Sequence, residues 1–292
     1  MCVPRLIAGH SAARRKAISP DHPRLTPNVV VRDVRFRSSA LNRDMQYRAV
    51  LPSSVPPERK WPVVYLLHGG GADFHSWTND SDVAQFAEKG FVFVMPEGNS
   101  SYYINAAERA QDKYEDYIVN DLIADAESRF PIAAGRNRRA VIGVSMGGFG
   151  AINLSLRHPD LFVFAGALSP AIDVPSRPFS IKRIGQWREH SSIFGPWGSE
   201  IRRANDPYLL VASVDSAVTP YFYVSCGEPE GLFQRIGNSL DSSQTAVFGL
   251  SSMLVRAGTI GTSGTPDCQM SFVASPSTSS KRDEAIPLYL TY

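Results

Sequence analysis

A chain of 292 residues is long enough to bury one large core, and an α/β domain of this size commonly stands as a single unit. Its 43% hydrophobic and 20% charged residues exclude a largely disordered chain, and a net charge of +2 without a basic stripe of interleaved aromatics points to no nucleic-acid partner. Three scattered cysteines, Cys2, Cys226 and Cys268, exclude a disulfide framework and a Cys-based metal site, and no apolar run reaches the ~20 residues of a membrane span.

Residues 1 to 28 hold scattered Pro, Arg and His without periodicity and are expected to form a loose, disordered leader. The apolar patch Val3 to Ala8 precedes Arg14-Arg-Lys16, the reverse of the charge order in a secretory signal, which slightly favours a cytoplasmic protein and fixes neither compartment nor oligomeric state. A single domain follows over 29–233. Val29 to Phe36 and Gln46 to Leu51 read as an antiparallel pair at a sheet edge, and Pro52 to Pro62 as a loop. Val63 to Leu67 is continuously apolar, as a central parallel strand must be, and runs into His68-Gly-Gly-Gly71. Asp80 to Lys89 predicts one short helix, and Phe91 to Met95 the next buried strand. Tyr114 to Phe130 carries Ile118, Leu122, Ala126 and Phe130 one turn apart, an amphipathic helix stopped by Pro131.

The stretch Ala140-Val-Ile-Gly-Val-Ser-Met-Gly-Gly-Phe-Gly150 organises the rest. A short apolar strand meets a Ser two residues from a Gly on either side, and Met146 to Arg157 can continue as a helix. This is the G-x-S-x-G pattern of a nucleophile elbow, in which a strained strand-to-helix turn lifts the Ser hydroxyl clear of the sheet. Phe162 to Leu168 and Tyr221 to Ser225 read as two further buried strands. Between them, 169–219 is rich in Pro and aromatics and is expected to form an irregular, lid-like excursion above the sheet. Alternating strands and helices predict a mostly parallel sheet covered on both faces, an α/β fold.

Acyl transfer needs a nucleophile, a base, an acid that orients the base, and N–H donors for the oxyanion. Ser145 is the candidate nucleophile. The N–H of Met146, opening the following helix, and that of Gly70 in the early glycine loop, with Gly71 next, are the candidate oxyanion donors. The acid is expected just after a later strand, at Glu230 or else Glu228. His68 precedes the nucleophile and reads as a structural ring. No G-x-G-x-x-G is present, and neither a cofactor nor a metal is expected.

Taken together, the Leu-Leu-His68-Gly-Gly-Gly loop, Glu115 to Leu122, Gly143 to Ala151, Arg157-His-Pro-Asp-Leu-Phe162 and Cys226-Gly-Glu-Pro-Glu-Gly231 resemble the putative-esterase family of α/β hydrolases. That family includes S-formylglutathione hydrolases, feruloyl esterases and the mycobacterial antigen 85 mycolyltransferases. The resemblance spans about residues 30 to 233. It implies an α/β-hydrolase fold, Ser145 as nucleophile, Glu230 as acid, Met146 and Gly70 N–H as oxyanion hole, a small-molecule ester substrate, and a His in a Gly-Gly-His-Asp-Trp loop near the C-terminus.

That His is absent, since all six histidines precede Glu230, whereas the fold's order is Ser, acid, His. His158 sits at a helix end, and His190, in the excursion, is the one histidine that could stand in. From Gln234 the chain turns to Ser, Thr and Gly without pattern. Read from the third base of each codon, a back-translation of Gln234 to Cys268 permits a helix, a strand and the missing Gly-Gly-His-Asp-Trp loop, whose Trp codon spans Ile260-Gly261. The tail 234–292 is therefore expected to be an out-of-frame product, with the last strand and helix of the fold lost. The sequence supports a serine carboxylesterase impaired by the missing His; a non-catalytic hydrolase-like protein and an acyltransferase using the same acyl-Ser are the alternatives.

Overall fold

The computed structural model describes residues 20–54, 56, 58–215 and 218–225, together with two short strands at 245–247 and 254–256. Seven strands form one sheet in the order β1-β2-β4-β3-β5-β6-β7. Strands β1 (Val29–Ser38) and β2 (Arg43–Pro52) pair antiparallel, with Val29 opposite Pro52 and Ser38 opposite Arg43, and β2 joins β4 (Val92–Pro96) antiparallel. From β4 the sheet continues through β3 (Val63–Leu67), β5 (Arg139–Val144), β6 (Phe164–Leu168) and β7 (Tyr221–Ser225), all parallel. This is the mostly parallel sheet with an antiparallel edge that the strand patterns predict. Strands β8 (Thr245–Val247) and β9 (Leu254–Arg256) form a separate antiparallel pair.

The uninterrupted apolar runs follow from coverage on both faces. In β3, Tyr65 and Leu67 point into a core with Tyr117, Leu122, Ala151 and Leu154, whereas Val64 and Leu66 point the other way, against Trp77 and Phe86. All five β3 residues are buried, each large side chain contributing about 1.5–3 kcal/mol by leaving water.

The helices depart from expectation in three places. The short helix expected over Asp80 to Lys89 is α2 (Val83–Ala87), and a further helix, α1 (Ser76–Asp80), precedes it. They are divided at Ser81, whose backbone is extended at φ −142° and whose hydroxyl donates to the Trp77 carbonyl. The long helix is present, but between α3 (Tyr114–Asp116) and α4 (Ile123–Arg129) it passes through a π-helical turn, Tyr117–Leu122. The excursion 169–219 is largely helical: after α5 (Met146–Arg157) and β6 come α6 (Ile184–Phe194), α7 (Glu200–Ala204) and α8 (Pro207–Ser213). Leu210 and Val211 of α8 pack against the main core, so this part of the excursion belongs to the body of the domain.

The expected leader is also shorter at its end than the sequence suggests. Before β1, Asp21 pairs with the buried Arg48 at 2.7 Å, the His22 N–H donates to Asn79, and the Arg24 N–H donates to the Thr78 carbonyl. A buried guanidinium needs carboxylates, and Asp21 and Asp33 supply them. Among the described residues no helix is long and apolar enough to cross a membrane.

Candidate active site

Strand β5 delivers Ser145 to the head of α5. Ser145 has φ +53° and ψ −113°, a conformation that L-residues avoid, and it is exposed between a half-buried Val144 and a buried Met146. Its backbone is pinned on both sides. The N–H donates to Leu168 at 2.8 Å, and the carbonyl accepts from Phe149 at 3.0 Å and from Ala171 at 3.1 Å. The hydroxyl hydrogen-bonds no other described residue.

The flanking glycines are there because nothing larger fits. A Cβ on Gly143 would stand 2.1 Å from the Gly147 carbonyl oxygen, and one on Gly147 would stand 2.2 Å from that of Leu67. The second contact presses the elbow against the loop after β3. Gly69 of that loop passes Ser145 so closely that a Cβ there would lie 3.6 Å from the Ser145 Cβ, while Gly70 and Gly71 face open space. As the first residue of α5, Met146 has no intrahelical acceptor for its N–H. The fold thus brings together three of the residues singled out in the sequence, Ser145, Met146 and the Gly70 loop. Glu230 and Glu228 lie outside the described residues, as do the three cysteines and His10.

Two residues that the sequence reading passed over hold this arrangement. Tyr103 is fully buried with φ +58°, and its hydroxyl donates to the His68 carbonyl at 3.0 Å. Its ring lies against Gly98 and Gly150, where added Cβ atoms would come within 2.4 Å and 2.6 Å of ring carbons, so it wedges between the glycine loop and the elbow helix. Glu115 is buried at the start of α3 and binds both Arg157 and His158 at 2.8 Å, tying the end of α5 to the long helix. Burial opposes its charge, but these two partners prevail and lower its carboxyl below the usual range.

The histidines have structural partners. His68 is fully buried as expected: its Nε2 accepts from the Gly98 N–H at 2.9 Å, which places the ring proton on Nδ1, facing the Gly69 carbonyl at 2.8 Å. His158 is held by Glu115. His190 bonds the Tyr102 hydroxyl at 3.1 Å, and burial, with help from Arg177 and Arg202, pushes its pKa down to about 4. No described histidine reaches the Ser145 hydroxyl. Among the described residues, Asp21, Asp33 and His75 group closely enough to consider a cation, yet Arg48 already lies between the two carboxylates.

Among the described residues, five of the six positive-φ residues other than glycine, Asn99, Tyr102, Tyr103, Ser145 and Ser169, belong to the loops after β4, β5 and β6, at the carboxyl ends of parallel strands. Open α/β sheets place their sites there.

Comparison with known proteins agrees with this fold. Residues 38–247 match the family described as "Putative esterase". An acetyl esterase from Caldicellulosiruptor saccharolyticus is 25% identical over 222 residues, covering 71% of this chain and 83% of that protein. The diacylglycerol acyltransferase/mycolyltransferase Ag85B of Mycobacterium avium is 28% identical over 224 residues, covering 70% of this chain and 66% of its own length. The Staphylococcus aureus fluorophosphonate-binding serine hydrolase FphF superposes with a TM-score of 0.65 at 20% identity, over 79% of this chain and 90% of that one. The chain belongs to the putative-esterase family, with an α/β-hydrolase fold.

Proposed function

We propose that this chain carries the nucleophile and oxyanion donors of a serine carboxylesterase acting on a carboxylic or thio ester. Ser145 Oγ gives its proton to the base and attacks the acyl carbonyl, the N–H groups of Met146 and Gly70 hold the oxyanion, its collapse expels the protonated alcohol or thiol and leaves acyl-Ser145, and water then cleaves that ester to the free acid and Ser145. Glu230 is the acid that would orient this base, a His that the chain lacks. The observation that supports this reading most is the exposed Ser145, strained at φ +53° at the head of a buried helix and beside the glycine loop.

The base is the missing part, and we assign its loss to the reading frame after about Phe233 rather than to a substitute histidine. His190 is engaged by Tyr102 and its depressed pKa makes it a weak acceptor for a serine proton. Removing the base from a serine triad costs on the order of 10⁶ in kcat, equivalent to about 8 kcal/mol. Restoring the frame would also give β7 a further ladder partner; among the described residues it is hydrogen-bonded to β6 alone, with β9 packed beside it. Sequencing the gene tests the frame: a nucleotide sequence that spells no Gly-Gly-His-Asp-Trp in the third-base frame ends it.

The nucleophile is tested by fluorophosphonate labelling with peptide mapping. The frame-restored chain takes the label on Ser145, its Ser145→Ala variant does not, and the chain as written labels slowly. Failure of the restored chain to label at Ser145 favours a non-catalytic hydrolase-like protein. The likeness to Ag85B supports a second outcome for the same intermediate, transfer to an alcohol. Product analysis with added acceptor alcohols separates transfer from hydrolysis.

A further inference from the structure

A cavity of about 360 Å³ opens between the loop after β6 and helix α6, and it is large enough for a small organic acid. Arg177, Arg183 and Arg202 line it together with Gln186, Trp187 and His190, and none of the described residues that line it is Asp or Glu. Arg177 is already neutralised, because Asp173 accepts two of its N–H groups at 2.7 and 3.1 Å.

Arg202 is different. It is only 5% exposed, and three of its five N–H groups go to carbonyl oxygens, two to Gly195 and one to Pro175. Among the described residues no carboxylate pairs with it, and burial alone lowers its pKa. The rings of Phe194 and Trp197, 5.9 and 5.8 Å from its Cζ, offset part of the cost of a buried cation without a counter-ion, and two of its five N–H groups have no partner among the described residues. Burial first, and then Arg177 and Arg202, hold the pKa of His190 down in the same cavity.

The cavity wall is tied to the elbow by backbone hydrogen bonds. Its wall residue Val174 donates its N–H to the Ala171 carbonyl, and the Ala171 N–H holds the Ser145 carbonyl at 3.1 Å. Three residues span on the order of 10 Å at most, so this wall begins close to the nucleophile. On the other side, Phe149, one turn beyond Ser145, stacks edge-on with Tyr102 at 5.6 Å, and Tyr102 holds His190.

We propose that this cavity is an acid-recognition subsite and that the ester handled at Ser145 carries a free carboxylate on its acyl group, seated against Arg202 and Arg183. The substrate class is the half-ester of a dicarboxylic acid. This deepens the esterase reading and rests on Ser145 as its nucleophile.

Two measurements separate the subsite from that reading. Binding needs no chemistry and is measured calorimetrically on the chain as written, with glutarate and with uncharged glutaramide as probes. Glutarate is expected to bind at least about tenfold more tightly than glutaramide, since a buried charged donor discriminates that strongly. Arg183→Gln and Gln186→Glu, both at exposed positions that the fold tolerates, are each expected to weaken glutarate about tenfold. Equal binding of the two probes, or glutarate binding indifferent to both variants, overturns the subsite. Hydrolysis is measured on the frame-restored chain with p-nitrophenyl hydrogen glutarate and p-nitrophenyl valerate. A tenfold higher kcat/KM for the glutarate half-ester, lost in Arg183→Gln, supports the substrate class. Equal kcat/KM for the two esters overturns the acyl-arm assignment. Glutarate binding with neither ester hydrolysed overturns the nucleophile reading and, with it, the substrate class.

Discussion

The α-carbon of Gly147 lies against the Leu67 carbonyl so closely that a methyl group there would stand 2.2 Å from the oxygen. The elbow helix and the loop after β3 therefore meet backbone to backbone, and neither can give way as a flexible side chain would. Gly147→Ala is expected to cost about 3 kcal/mol or more in urea denaturation, as overpacking against an unyielding wall does. Gly70, which faces open space, supplies the contrast: Gly70→Ala should change stability by less than about 0.5 kcal/mol. Equal costs at the two positions would show that the glycine loop and the elbow are not apposed in this way.

Tyr103 makes the same junction from the side. Tyr103→Phe removes the donor to the His68 carbonyl and leaves a buried acceptor without it, at an expected cost of about 1–2 kcal/mol. Thermal unfolding of the two proteins measures this, and an unchanged midpoint would mean that the carbonyl finds another donor.

The Glu115 tie gives stability a pH dependence. Its carboxyl titrates below the ordinary value of 4.5 in the folded chain, so the unfolded chain takes up protons first as pH falls. The stabilisation is fully present above about pH 4.5 and is lost as pH drops through the lowered folded value. Glu115→Gln should cost about 3 kcal/mol near neutral pH, because it leaves Arg157 and His158 without their carboxylate, and the gap to wild type should close in strong acid. A gap that is constant with pH would remove the ion pairs from this account.

His190 is expected to stay neutral until about pH 4, against an ordinary value of 6.5. Between these values the unfolded chain binds the proton and the folded chain does not, so stability attributable to this ring is present above pH 6.5 and falls as pH drops toward 4. Titration of the imidazole ring protons by NMR checks it directly. An apparent pKa of 6 or higher would show that burial and the two arginines do not act on this ring as described.

The parts of the fold that were legible in the sequence are those where one physical demand dictates residue type. Val63 to Leu67 must be apolar on both sides because helices cover both faces, and the Gly143-x-Ser-x-Gly147 spacing must be glycine because backbone fills the space on either side. Helices α6 to α8 were hidden because their demands are weak. In α6 only Ile193 and Phe194 are buried, too few to print a period on the sequence. Signals were nevertheless present: Ser199 caps α7 by accepting from the Arg202 N–H, and Asp206 caps α8 ahead of Pro207. The break at Ser81 and the π turn at Tyr117–Leu122 depend on contacts made in the folded chain and have no local sequence mark. The same holds for Tyr103, whose role depends on glycines 98 and 150 meeting around its ring.

The central claim joins an intact nucleophile elbow to a missing base, and the rate of p-nitrophenyl acetate hydrolysis by three proteins tests it most directly. The frame-restored chain should turn the ester over, while the chain as written and the restored Ser145→Ala variant should both fall by several orders of magnitude, up to about 10⁶. Equal rates for the restored chain and the chain as written would contradict the account.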